Sequence, residues 1–176
     1  MAEIKKDYVK DGIRTIIFMP YEEKIQTKDR GDIGLSVVFV ATNDKVQTKY
    51  SFCVTFNTIG KSINIPNDKC LLFYDEKKNF CVLDSGYCPE IFYGYMKDFN
   101  SSYSFNHTYV IGHDKVDSLK SLVNWTALRI ETDTSFIESR GATFLYKYLR
   151  ECIEKAEKAI KNTSETFLDI PDSPFF

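Results

Sequence analysis

A chain of 176 residues with 43% hydrophobic content suits one domain with a sizeable core. It holds no run of about 18 apolar residues, which excludes a membrane-spanning helix. Charge is nearly balanced, with 23 Lys and Arg against 25 Asp and Glu, unlike the strongly basic make-up of a duplex-DNA binder.

In chain order, the N-terminal stretch MAEIKKDYVKDGIR is charged and lacks the apolar run of a signal peptide, so a cytoplasmic location is expected. Gly12–Met19 predicts a strand ended by Pro20. Residues 33–57 predict a hairpin turning at Asn43-Asp44, a pair suited to a tight two-residue turn. That turn sets Ala41 opposite Val46, Phe39 opposite Thr48, Val37 opposite Tyr50, Leu35 opposite Phe52 and Ile33 opposite Val54. CLLFYD (70–75) and NFCVLD (79–84) flank a charged turn at Glu76-Lys77. Both are apolar on both faces, which predicts central strands.

Further strands are expected at 107–112 and 125–133. Between them, Val116, Leu119, Leu122 and Val123 suggest a short helix capped by Asp114. Phe144, Leu145, Tyr148, Leu149, Cys152, Ile153, Ala156 and Ile160 form one apolar stripe of a long final helix stopping near Asn162. The fold class is α+β: an antiparallel sheet or small OB-like barrel with a short helix and a long C-terminal amphipathic helix. Residues 1–162 form a single domain, and 163–176 form an acidic aromatic tail.

Chemical motifs are sparse. Five scattered cysteines without a C-x-x-C pair imply reduced thiols and no zinc site. His107, His113 and Asp114 have a spacing that would put both imidazoles on one strand face, but no third His exists to complete a metal site. Asp11 followed by Glu22-x-Lys24 has the outline of a metal-dependent nuclease motif, at a spacing that arises easily by accident in so charged a chain. No phosphate loop, nucleophile elbow or H-E-x-x-H is present, so neither an enzyme nor a cofactor or metal is expected. Segment 86–109 is distinctive, since eight of its residues are aromatic among Gly, Ser and Asn, the make-up of adaptable recognition surfaces.

V-V-F-V-A-T-N (37–43) followed by T-K-Y-S-F-C-V-T-F (48–56) resembles the bacterial and phage single-stranded-DNA-binding proteins, as does the ending D-I-P-D-S-P-F-F (169–176). The resemblance covers only the hairpin and the tail. It implies base stacking on Tyr50, standing where that family has Trp, and on Phe56. It also implies an acidic tail that recruits protein partners.

Two readings follow. In the first, a non-enzymatic protein binds single-stranded nucleic acid, with bases on Tyr50 and Phe56, phosphates on Lys45 and Lys49, and a partner captured by Asp172, Phe175 and Phe176. In the second, the chain is a protein-binding module, such as a phage or mobile-element inhibitor of a host factor. It would then use the Tyr-rich segment through Tyr93, Tyr95 and Tyr103. Neither reading involves a membrane, and both allow a homo-oligomer.

Overall fold

The computed structural model describes residues 2–87, 103–123 and 125–163. In chain order the elements are β1 (Ile4–Lys10), β2 (Ile13–Phe18), β3 (Tyr21–Gln26), β4 (Asp32–Asn43), β5 (Thr48–Thr58) and β6 (Cys70–Asp75). They continue with β7 (Phe80–Asp84), β8 (Tyr103–Ile111), α1 (His113–Ser121), β9 (Thr126–Glu131), β10 (Phe136–Glu138) and α2 (Leu145–Thr163). Among the described residues no helix is long and apolar enough to cross a membrane.

All strand pairings are antiparallel. The larger sheet runs β1-β2-β4-β5-β8, with β3 also on β4, and the smaller runs β10-β9-β6-β7. Strands β2 and β3 share one edge of β4 end to end, β2 along Val40–Asn43 and β3 along Asp32–Val37. Pro20 falls in the gap between these two ladders, where its missing N–H costs no ladder bond. Single bridges, Thr27 to Ser139 and Ser85 to Tyr109, tie the sheets at two corners. Among the described residues the ladders do not close, so their architecture is two packed sheets and not the OB-like barrel that the sequence also allowed.

Strands β1, β3 and β10 lie outside the sequence expectation; β1 and β3 are rich in charged residues, and β10 is only three residues long. β1 is an edge strand whose Lys5, Lys6 and Lys10 suit an open edge. It turns into β2 through Asp11 and Gly12, both at positive φ (54° and 77°), as a tight two-residue hairpin demands. On β3 the inward series Tyr21, Glu23, Ile25 is broken by a carboxylate. That carboxylate is placed for a purpose: it accepts the Phe144 backbone N–H at 3.0 and 3.1 Å at the start of α2, and the Tyr21 hydroxyl at 2.9 Å. The Tyr21 ring also stacks on Tyr148, with centroids 4.7 Å apart.

The β4–β5 hairpin forms, but its register differs from the expectation. Leu35 faces Phe56, Val37 faces Val54, Phe39 faces Phe52 and Ala41 faces Tyr50. The chain turns through a longer loop, residues 44–47. There Asp44 Oδ1 accepts the N–H groups of Val46 and Gln47, and Lys45 adopts φ 75°. Val46, expected opposite Ala41, is 89% exposed instead. The offset is even, so the same residues face the core. Two further corrections concern β7 and the helix starts. β7 is an edge strand of the smaller sheet, not a central one. α1 begins at His113 after Gly112, without a side-chain cap from Asp114, and Phe144 precedes α2 and is exposed.

One core lies between the sheets. It joins Phe18, Phe39, Phe52 and Phe56 of the larger sheet to Phe73, Leu83 and Leu128 of the smaller. The α2 stripe of Leu145, Tyr148, Leu149, Cys152, Ile153 and Ala156 closes it. Each such large apolar side chain, fully buried, contributes roughly 1.5–3 kcal/mol. Ile17, Val38, Val40 and Cys53, on the opposite face of the larger sheet, are buried as well.

Candidate binding surfaces

Tyr50 and Phe56 lie on the inward face of β5 and belong to the core. Tyr50 is 5% exposed and Phe56 1%. The Tyr50 ring sits 5.8 Å from that of Phe39, and its hydroxyl bonds Glu157 of α2. Burial first, then the Glu157 charge, pushes its pKa upward. Neither ring is presented to a base, which corrects the stacking role that the resemblance implied. The cause is the alternation of an amphipathic strand whose apolar side must be covered. Lys45 and Lys49 are exposed, Lys45 in the hairpin loop and Lys49 near the start of β5. Tyr103, at the start of β8, is exposed too. Tyr93, Tyr95, Asp172, Phe175 and Phe176 lie outside the described residues.

The two histidines do not share a strand face. His107 is buried on β8, while His113 is the exposed first residue of α1. His107 Nε2 lies 2.6 Å from Ser85 Oγ, and that hydroxyl donates to the Lys69 carbonyl at 2.5 Å. With its proton so used, Ser85 accepts from the imidazole. The pair is therefore a polar lock at the corner where the sheets meet, not an activated nucleophile. Among the described residues no group of three or more His, Cys, Asp or Glu is placed to hold a metal. Asp11 stands at the start of β2 and Glu22-x-Lys24 beyond its end, so the length of that strand separates the nuclease-like trio.

The feature that the sequence did not disclose is the outer face of the smaller sheet. On β6, Leu71 and Phe73 turn inward and are buried, so Leu72 and Tyr74 turn outward and are half-buried. On β7, Cys81 and Leu83 are inward, leaving Val82 half-buried and Phe80 63% exposed. Register pairs Leu72 with Val82 and Tyr74 with Phe80, so these four form one block. Trp125, exposed just before β9, meets the Tyr74 ring edge-on at 6.2 Å. Across the sheet, Arg129 of β9 covers the exposed Phe136 of β10, its guanidinium 4.2 Å from the ring centroid.

Glu138 organises the charged border of this face. It accepts Arg129 at 2.8 and 3.1 Å and Lys28 at 2.5 Å. Partial burial pushes its pKa up, but the hydrogen bonds from Lys28, Arg129 and Tyr74 outweigh that and bring it down to about 2. The signal in the sequence was the two-faced apolarity of CLLFYD and NFCVLD. With β7 at an edge, that pattern leaves an apolar outer face uncovered by any second layer among the described elements.

A concavity lies at the hairpin end of the larger sheet, with a volume of about 500 Å³. Ile13, Tyr87 and Val110 wall it, and Thr42, Lys49 and His113 supply its polar groups. Gly86 makes this wall fit. A β-carbon there would lie 2.3 Å from Val110 Cγ1, while its N–H donates to the Thr108 carbonyl at 3.0 Å. Set beside family models, curated proteins and solved structures, the chain matches none of them.

Proposed function

We propose that this chain is a non-catalytic binding protein whose partner is another protein, docked on the outer face of the smaller sheet. The observation that carries the reading is the contiguous block of Leu72, Tyr74, Phe80, Val82 and Trp125, flanked by Arg129 on Phe136. Single exposed apolar residues are ordinary, but a contiguous aromatic patch with a charged rim marks an interaction surface. Tyr, Trp, Phe and Arg are the residues enriched at protein interfaces, and Trp, Tyr and Arg supply most hot spots. The rim carries both signs, through Lys28 and Arg129 against Glu138, Glu131 and Asp84. That mixture suits a protein better than a polyanion.

The test compares proteins retained from lysate by the wild-type chain with those retained by a Phe80→Ser, Trp125→Ser double variant. The reading expects a retained protein that the variant loses while keeping the wild-type circular dichroism and melting temperature. An identical set of retained proteins from the two chains would refute it.

A second reading, single-stranded nucleic acid binding, draws support from the exposed Lys45 and Lys49 beside the hairpin-end groove. Under it, bases stack on rings other than Tyr50 and Phe56. A fluorescent oligo-dT at about 50 mM salt measures it, because phosphate contacts make such binding strongest at low salt. Saturable binding that weakens steeply as salt rises favours this reading over the first.

A further inference from the structure

We propose that the hairpin-end groove is a binding site for a small amphipathic monoanion, an apolar body carrying one carboxylate. Its volume of about 500 Å³ falls within the range of small-ligand sites, roughly 300–1,000 Å³. Most of the lining comes from β2, the ends of β4 and β5, β8 and the start of α1, with Gln47, Tyr87 and Gly112 added from the connections, so regular elements hold most of it in place. Ile13 and Val110 give aliphatic walls. Tyr87, 74% exposed, lines the groove as well, next to the tight passage of Gly86 against Val110.

The lining of the groove holds a cationic side chain, Lys49. Among the described residues lining it there is no carboxylate, and Lys49 makes no ion pair with any described residue. Two acids stand near the groove. The Asp44 carboxylate accepts two backbone N–H groups of its own loop and also feels the Lys49 charge, and Asp114 Oδ1 lies against Gly112 of the lining. One lysine matches one negative charge. His113, Thr42, Thr48 and Ser51 line the groove beside that lysine. A site of this make-up selects an apolar acid over the corresponding alcohol or amine.

The experiment titrates the ¹⁵N-labelled full chain with 4-phenylbutyrate, and separately with 4-phenylbutan-1-ol, following amide shifts. The acid is expected to give saturable shifts centred on Thr48–Ser51 and Val110–His113. The alcohol should bind about tenfold more weakly, the weight of one charge-assisted hydrogen bond. Lys49 is exposed, so Lys49→Met should leave the spectrum folded, remove the preference for the acid, and be rescued by Lys49→Arg. Tyr87→Ala, also at an exposed position, should weaken both ligands alike. Equal affinity for acid and alcohol, an unaltered preference in Lys49→Met, unchanged binding in Tyr87→Ala, or no saturable shift at these amides would each overturn the proposal.

Discussion

The guanidinium of Arg129 lies 4.2 Å from the Phe136 ring centroid while two of its nitrogens, Nε and Nη2, donate to one oxygen of Glu138. The cation is thus held flat on an exposed ring, as cation–π geometry favours. The same carboxylate also takes Lys28, which follows Thr27, the residue bridged to Ser139. Glu138 therefore links the smaller sheet to the larger one at that corner.

That arrangement makes stability depend on pH in a defined window. Glu138 has its folded pKa lowered from 4.5 to about 2. A depressed carboxylate contributes stability that is fully present above the unfolded value and is lost as pH falls through the folded one. The urea midpoint of the wild type should therefore exceed that of Glu138→Gln at pH 7. The difference should shrink between about pH 4.5 and 2. A difference that does not change across this range would place the effect of the substitution elsewhere.

His107 predicts a second, separate dependence. Burial lowers its pKa below 6.5, so the unfolded chain takes up the proton first. Stability is full above the unfolded value and declines as pH drops below it, with His107→Gln flattening the decline. Urea melts at pH 7.5 and 5.5 (about one unit either side of the unfolded histidine value) measure this. Equal slopes for wild type and variant would contradict a buried neutral imidazole locked to Ser85.

Tyr50 is a core residue, and its substitutions should sort accordingly. Tyr50→Ala should cost about 3–5 kcal/mol, the range for truncating a buried aromatic. Tyr50→Phe, losing only the bond to Glu157, should cost about 0.5–1.5 kcal/mol. Chemical denaturation gives both values. A stable Tyr50→Ala chain with selectively weakened oligo-dT binding would restore the stacking role.

Phe80 and Trp125 should behave in the opposite way. As exposed residues outside the core, their replacement by serine should alter stability by no more than about 0.5 kcal/mol each. Thermal melts of the single variants check this, and a large loss would show that the outer face is structural.

What was legible in the sequence was whatever repeats with a clean period. The β4–β5 hairpin showed itself because a face-flipping slip would ruin it, yet its register moved by an even step that leaves the inward residues unchanged. The α2 stripe was legible for the same reason. β3 was hidden because Glu23, an inward carboxylate, serves the start of α2, a partner far along the chain. The outer aromatic face was hidden because Leu72, Tyr74 and Phe80 look like core until β7 is known to lie at an edge. At Tyr50 the sequence pattern is ambiguous because a stacking ring and a packing ring obey the same alternation.

The central claim is that a protein partner meets the outer face of the smaller sheet, and site-specific photo-cross-linking in cells tests it most directly. A photoreactive amino acid placed at Phe80 should yield a discrete cross-linked product with another protein. The same group at Val46, exposed on the hairpin loop of the other sheet, should not. Cross-linking from position 46 and none from position 80 would contradict the account.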